Sequence, residues 1–82
     1  MMLESSTNVY QHYKGDNYCV ITMGKMVETD ELMVVYKNLF GQVWIRPHEE
    51  FFGEENKGQR RFTPREDIRW QDLLDDHYNS GK

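Results

Sequence analysis

Short apolar and aromatic runs, separated by turn residues, fill the first half of the chain. Strand-forming residues dominate segments 8–14 and 18–23, and a glycine followed by aspartate and asparagine lies between them. Segment 32–37 is apolar on both faces, which is typical of a central strand, and segment 43–46 follows a loop with a glycine. These patterns predict four strands, the last of which ends at Pro47 because proline has no amide hydrogen to donate.

The segment after Pro47 predicts a short helical turn and one more strand. Two acids precede Phe51 and Phe52, and a glycine follows them, which is typical of a single helical turn that inserts one of the two rings into the core. A charged loop comes next. Segment 59–62 then predicts a fifth, short edge strand, whose charged side chains discourage pairing with another molecule.

The end of the chain carries the signal of a helix N-terminus. Thr63 offers a capping hydroxyl, Pro64 suits the first helical turn, and Glu66 completes a capping box. The side chains on the apolar stripe that follows are Ile68, Trp70, Leu73, Leu74, His77 and Tyr78. We therefore predict a helix that starts at Thr63, frays at its acidic C-terminal end, and docks either on its own sheet or on a partner chain.

Five short strands followed by one helix define the predicted fold class. We expect a mainly β protein, a small curled antiparallel sheet or SH3-like open barrel of about five strands with a C-terminal α-helix. In this interpretation residues 1–6 are a flexible lead-in, residues 7–62 the β domain, and residues 63–82 the capped helix with its frayed tail. A chain of 82 residues has room for one small core.

Charge and cysteine content restrict the partners. Ten basic and fourteen acidic side chains give a net charge of −4, which disfavours binding to bulk duplex nucleic acid. The single cysteine, Cys19, cannot form an internal disulfide, so we expect a reducing compartment. The sequence contains no signal-peptide pattern and no apolar run of membrane-spanning length. We expect a soluble cytoplasmic protein, away from membranes, that is a monomer or a homodimer through its C-terminal helix.

A set of short motifs resembles a known bacterial family. The motifs are His12-Tyr13-Lys14-Gly15, Tyr18, Thr29, Glu31, Val34-Val35-Tyr36, Trp44-Ile45-Arg46-Pro47, Phe51 and Arg61-Phe62. Together they resemble the domain-of-unknown-function family 1653 over about residues 9–62. The resemblance implies a short, mostly β protein without an established activity. The sequence departs from the family pattern at residues 48–50, where an apolar residue is expected ahead of the phenylalanine, and segment 63–82 lies outside the resemblance.

The resemblance also singles out polar residues that flank aromatic rings. The candidate ligand-binding residues are His12, Lys14, Glu31, Tyr36, Trp44 and Arg46. Arg46 would supply a bidentate fork, Lys14 a point charge and Trp44 a stacking plane. This chemistry suits a flat anionic small ligand, such as a nucleotide or a phosphorylated metabolite. The alternative is a structural network in which Arg46 stacks on Trp44 or pairs with Glu31.

The same part of the chain also suits a second functional class, a peptide-binding adaptor. A small barrel with tyrosines and a tryptophan on one face can hold a basic or proline-rich peptide, with an acidic rim that includes Glu31 and Glu49. An enzyme has no support, because the three histidines are far apart in sequence and the paired acids are adjacent and solvated. Cys19 is expected to be a small buried hydrophobe on the face of Ile21 and Met23. No catalytic residue, metal site or cofactor is therefore predicted.

Overall fold

Five strands of the chain form one antiparallel sheet, and two more form a separate hairpin. The computed structural model describes residues 7–56 and 58–79, so the predicted lead-in, 1–6, and the last residues of the predicted tail, 80–82, lie outside the described residues. The strands are β1 (Val9–His12), β2 (Asn17–Lys25), β3 (Leu32–Lys37), β4 (Val43–Pro47), β5 (Glu54–Asn56), β6 (Gln59–Arg60) and β7 (Phe62–Pro64). The helices are α1 (His48–Phe51) and α2 (Trp70–Asn79). The sheet has the order β4-β3-β2-β1-β7 and stays open rather than closing into a barrel, which confirms the mainly β fold with a C-terminal helix.

The predicted hairpins form because their turns carry suitable residues. Gly15 has a φ of 111°, a left-handed conformation that glycine adopts freely, and its N–H donates to the carbonyl of His12 at 2.8 Å. Between β3 and β4, the side-chain oxygen of Asn38 accepts from the N–H groups of Phe40 and Gln42 at 2.9 and 3.0 Å. The four strands predicted ahead of the helical turn are confirmed near their predicted positions.

A bulge in β2 changes which side chains share a face of the sheet. Cys19 pairs with Lys37, but beyond a register shift after Val20 the residue Met23 pairs with Val34. Lys37 and Val34 are three residues apart in β3 and therefore point to opposite faces, and each shares its face with its partner. The prediction that Cys19 and Met23 lie on one face is wrong, because the extra residue reverses the alternation.

Buried rings fill one face of the sheet, which we call the aromatic face. Val34 and Phe62 are fully buried there, and Tyr36 is 5% exposed. Helix α1 covers them with Phe51, whose ring stacks on that of Phe62 with 4.1 Å between the ring centroids. Gly53 suits the chain reversal after α1, because a Cβ there would lie 2.5 Å from a carbonyl oxygen of the helix. The predicted helical turn and its insertion into the core are confirmed.

The prediction of a helix that starts at Thr63 is wrong. Thr63 lies in β7 and pairs with Gln11 of β1, and the helix begins at Trp70. The physical reason is that Phe62 belongs to the core and brings the next two residues onto the free edge of β1, where their backbone groups join the sheet. This long-range pairing outweighs the local capping pattern.

The predicted fifth strand at 59–62 divides between the hairpin and the main sheet. Strand β6 pairs with β5, whereas Phe62 opens β7 and pairs with β1. Arg61 lies between the two strands, and its N–H donates to the carbonyl of Gly53 at 3.1 Å. The β domain therefore extends to residue 64, and residues 65–69 connect it to α2.

Helix α2 packs on the face opposite the aromatic face. Trp70 lines a cleft together with Val9 and Cys19 of the first two strands. Near the other end of the helix, the His77 ring meets Phe40 edge-on with 4.7 Å between centroids. These contacts hold the two ends of the helix against its own chain, and none of its described residues is fully buried. Neither of the two described helices is long and apolar enough to cross a lipid bilayer.

Candidate functional site

The register of the sheet places four of the six candidate residues on the aromatic face. Trp44 and Arg46 are two residues apart on β4, and Trp44 pairs with Tyr36 of β3, so these three side chains share a face. His12 pairs with Phe62, whose ring lies 5.5 Å from the Tyr36 ring. The two ends of the sheet order are therefore brought together on one surface by the packing of their aromatic rings.

Two side chains hold Arg46 in place. Its Nε donates to the Tyr36 hydroxyl at 3.2 Å, and its Nη1 donates to Glu50 Oε1 at 3.3 Å. The hydrogen bond to Tyr36 is the main influence that raises the pKa of Arg46, and the guanidinium stays charged. Its side chain is 31% exposed. Within the described residues Nη2 makes no hydrogen bond, so the fork retains donors for a ligand.

The structure gives Tyr36 a positioning role. Its ring is buried between those of Phe51, Phe62 and Tyr18, with centroid distances of 5.1, 5.5 and 5.5 Å. A ring enclosed in this way offers no open plane on which a ligand can stack. Its hydroxyl instead accepts the Nε hydrogen of Arg46 and fixes the direction of the guanidinium.

Glu31 lies away from the guanidinium that it was predicted to pair with. It ends the turn between β2 and β3, where its own N–H donates to Thr29 Oγ1 at 3.2 Å. The carboxylate that pairs with Arg46 is that of Glu50, four residues further along the chain in α1. The sequence analysis named an ion pair between Arg46 and Glu31 as the structural alternative. Arg46 does form an ion pair, but with Glu50.

His12 occupies an environment that favours its neutral form. Its Nδ1 accepts the backbone N–H of Lys14 at 3.1 Å, which leaves Nε2 as the protonated nitrogen of the neutral ring. The ring packs on Tyr13 with 4.4 Å between centroids and meets Phe62 edge-on at 5.0 Å. Burial is the main influence that lowers the pKa of His12, the positive charges of Arg46, Arg61 and Lys14 lower it further, and the carboxylate of Asp16 acts in the opposite direction.

These influences on His12 define a cationic cluster, which consists of His12, Lys14, Arg46 and Arg61. Lys14 is exposed in the turn after β1. Arg61 is half-buried, and its Nε donates to the backbone carbonyl of Glu50 at 3.1 Å. Three basic side chains, opposed by the carboxylate of Asp16, thus act on one imidazole in a chain whose net charge is −4.

Arg61 is the member of the cluster that the sequence interpretation missed. The motif Arg61-Phe62 in the family resemblance was the available signal. The sequence interpretation instead explained the charge of Arg61 as a feature that keeps an edge strand from pairing with another molecule. In the structure its backbone links three segments, since its N–H donates to Gly53 and its carbonyl accepts the N–H of Tyr13. The backbone hydrogen bonds of Arg61 therefore join the segment after α1 to the turn after β1.

Trp44 supplies an exposed ring beside the cluster. It lies on β4, an edge strand, and is 48% exposed, whereas its partner Tyr36 is buried. Successive residues on one strand face are about 7 Å apart, so Trp44 and Arg46 are neighbours on the aromatic face. This arrangement joins an open aromatic plane to fixed positive charge.

The sequence span of the sheet and the cluster coincides with a known family. The family model for a protein of unknown function, DUF1653, matches residues 8–64, from just before β1 to the end of β7. That span is well over half of the 82 residues. The chain belongs to the DUF1653 family. The resemblance drawn from its motifs is confirmed, and the match includes all four residues of the cationic cluster and leaves out α2.

A solved structure of a DUF1653 protein has the same fold. The crystal structure of a family member from Bordetella bronchiseptica is 29% identical in sequence, with a TM-score of 0.66, and the similarity covers 83% of this chain and 96% of that one. Comparison with curated proteins gives no match. The family model thus shows the family, and the solved neighbour shows the fold.

A cleft on the other face of the DUF1653 sheet has different chemistry. It has a volume of about 320 Å³, and its lining includes Val9, Cys19, Ile68 and Trp70. Burial raises the pKa of the Cys19 thiol, which therefore stays protonated at neutral pH. Trp70 Nε1 is buried without a hydrogen-bond partner among the described residues. Among all the residues that the structure describes, no group of three or more histidine, cysteine or acidic side chains could hold a metal ion.

The lowered pKa of His12 gives a pH dependence that can be measured. We expect the imidazole to titrate below its usual value of about 6.5, and Arg61→Gln to move its pKa upward because one positive charge is removed. Since the folded pKa is lower than the unfolded one, this group contributes stability above about pH 6.5 that is lost as the pH falls through the folded pKa. NMR titration of the imidazole, assigned with His12→Gln, measures both effects. A midpoint above 6.5 would contradict a half-buried ring surrounded by positive charge.

Proposed function

We propose that this DUF1653 protein is a non-enzymatic binding module for a flat anionic small ligand, such as a nucleotide or a phosphorylated metabolite. The observation that carries the proposal is the cationic cluster on a chain of net charge −4. An isolated surface lysine or arginine is usually solvated, but here His12 lies within the field of three positive charges. Glu50 offsets part of the charge of Arg46, and Asp16 opposes the charges at His12. The exposed Lys14 and the Arg46 Nη2, which makes no hydrogen bond among the described residues, can serve an anion.

Each residue of the cluster has a distinct part in anion binding. Arg46 presents a guanidinium whose direction is fixed by Tyr36 and whose Nη2 donors remain for two phosphate oxygens. Lys14 and Arg61 add charge from two other segments, and the Nε2–H of His12 is a further donor. Trp44 offers its exposed ring to the flat part of the ligand.

The alternative function, an adaptor that binds a basic or proline-rich peptide, receives less support from the same surface. Of the acids near this surface, Glu50 pairs with Arg46, and Glu31 lies in the turn between β2 and β3. The aromatic groove of an adaptor would need Tyr36, whose ring is buried in the core. The charge next to the exposed Trp44 is positive, so the surface is complementary to an anion rather than to a basic peptide.

Thermal unfolding in the presence of three kinds of compound tests the proposal. The ribonucleoside monophosphates carry both the flat and the anionic part, nucleosides carry the flat part, and inorganic phosphate carries the charge. A ligand at a hundred times its dissociation constant stabilises the folded state by about 2.7 kcal/mol, which raises the melting temperature of a domain of this size by about 10 °C or more. We expect a larger shift with at least one monophosphate than with its nucleoside or with phosphate.

Two outcomes would count against this function. Equal shifts with a monophosphate and its nucleoside would show that charge has no part in binding. Stabilisation by a basic or proline-rich peptide, without any shift from the phosphorylated compounds, would favour the adaptor instead. Increasing the salt concentration gives a further check, because binding that depends on the cluster weakens as its charges are screened.

A further inference from the structure

Strand β4 is an edge of the main sheet with few of the features that prevent pairing. Val43, Trp44 and Ile45 are 56%, 48% and 63% exposed, so apolar side chains lie open on both faces of the strand. Native edge strands are usually short, charged, bulged or covered. The single charge of β4 is Arg46, whose guanidinium is turned towards Tyr36 and Glu50 on the aromatic face. Among the described residues no strand pairs with the outer backbone edge of β4, which is therefore open to another strand.

The turn before β4 determines which of its backbone groups point outward. The N–H of Asn38 donates to the carbonyl of Gln42 at 3.0 Å, so these two residues form a hydrogen-bonded pair. Hydrogen-bonded and non-hydrogen-bonded pairs alternate along an antiparallel ladder. Trp44 and Arg46 therefore direct their backbone groups towards β3, and residues 43, 45 and 47 direct theirs outward. Pro47 agrees with this assignment, because its missing N–H falls on the outer side.

We propose that the β4 edge pairs with β4 of a second copy of this chain, antiparallel and centred on Ile45. In this register Ile45 of each copy donates to and accepts from Ile45 of the other, and the N–H of Val43 donates to the carbonyl of Pro47. The symmetric pair gives four backbone hydrogen bonds and uses every outward N–H of β4. The interface is isologous, as a twofold dimer requires.

Side chains in this register complement each other across the dyad. Trp44 of one copy lies directly opposite Arg46 of the other, in a non-hydrogen-bonded pair, where side chains approach most closely. An indole and a guanidinium attract each other, and the pair occurs twice; since Trp44 and Arg46 also belong to the proposed anion site, the dimer interface adjoins that site. On the other face the two Ile45 side chains lie together, next to Val43. No like charges lie opposite each other within the paired strands. Shifting the register by two residues would instead pair Trp44 with itself and leave Arg46 opposite Gln42.

Sedimentation velocity of the full chain tests the dimer. We expect wild type to sediment as a concentration-dependent dimer and Ile45→Lys to sediment as a monomer, because the two lysines would face each other at the dyad. The matched control is Val27→Lys, which places the same charge on a side chain that is 94% exposed in a turn away from β4 and should leave the dimer intact. Circular dichroism confirms that the variants are folded. A monomeric wild type, or a dimer that Ile45→Lys leaves unchanged, would overturn the proposal.

A cross-link distinguishes the register. In a Cys19→Ser background, Ile45→Cys should form a disulfide between copies, because the Cα atoms of a hydrogen-bonded pair are about 5.5 Å apart, within the range that a disulfide bridges. Trp44→Cys in the same background should not, since its partner in the other copy is residue 46. Cross-linking through residue 44 but not residue 45 would show the shifted register and overturn the one proposed.

Discussion

Phe51→Ala is expected to destabilise the protein by about 3–5 kcal/mol. The ring of Phe51 is fully buried, stacks on Phe62 and meets Tyr36 and Tyr10 edge-on. Its removal leaves a cavity that the rigid sheet cannot fill. Small domains have total stabilities of about 5–15 kcal/mol, so this loss is a large part of the whole. Denaturant unfolding followed by circular dichroism measures it.

Phe40→Ala is the control for this change. Phe40 is 76% exposed and contacts His77 at its edge, so its truncation should cost less than about 1 kcal/mol. Similar losses for the two variants would contradict the account, because they would mean that α1 does not close the core.

Arg46→Gln is expected to weaken ligand binding by about ten- to a hundredfold, which corresponds to the loss of charged hydrogen bonds worth about 1.5–3 kcal/mol. The same change should reduce the free energy of unfolding by about 1–2 kcal/mol, mainly because it removes the hydrogen bond to the Tyr36 hydroxyl. The Arg46–Glu50 pair is partly exposed, with side-chain exposures of 31% and 55%, and pairs of this kind contribute little to stability. Isothermal titration with the best monophosphate and denaturant unfolding, on the same variant, measure the two effects.

Arg69→Gln is the matched control for Arg46→Gln. It removes the same charge from a guanidinium that lies just ahead of α2, pairs with Asp72 and lines the cleft on the opposite face, outside the cluster. The affinity of the Arg69→Gln variant for the ligand should stay within about a factor of two of wild type, because salt screens the effect of a distant charge on binding. If Arg46→Gln instead lost much stability and kept its affinity, Arg46 would be part of the scaffold and not of a binding site.

The strands were predictable because local patterns and tertiary contacts agree there. Gly15 and the residues around Asn38 set the two hairpin turns, and the apolar run 32–37 has a central position in the sheet. The burial of a ring from the short helical turn, Phe51 in the structure, was predictable for the same reason, since a turn with two adjacent phenylalanines directs one of the rings into the core. Family motifs added a second, independent indication of the same elements.

The C-terminal segment was not predictable from local signals. Thr63, Pro64 and Glu66 satisfy the capping pattern, yet the segment is a strand because Phe62 must reach the core and the edge of β1 is free to pair. A competition between a local cap worth about 1 kcal/mol and a strand that completes the sheet is decided by tertiary structure. Sequence alone does not show that β1 has an unpaired edge.

The site was predictable in its residue types but not in its geometry. His12, Trp44 and Arg46 were found from motifs, but the register that places them together depends on strand order. The burial of Tyr36 and the contribution of Arg61 depend on the position of α1, which covers the first and contacts the second. The bulge after Val20 likewise reverses a face assignment that regular alternation would predict.

The two tryptophans allow the central claim, that an anion binds at the cluster beside Trp44, to be tested in one NMR experiment. Trp44 lies beside the cluster and Trp70 lines the cleft on the opposite face, so their indole N–H signals report on different surfaces. Trp44→Phe assigns the two signals. Titration with the monophosphate that stabilises the protein most is predicted to shift the Trp44 signal and the His12 imidazole signals to saturation, with one dissociation constant, while the Trp70 signal stays in place. A saturable shift of Trp70 with an unchanged Trp44 would contradict the account and locate the ligand in the other cleft.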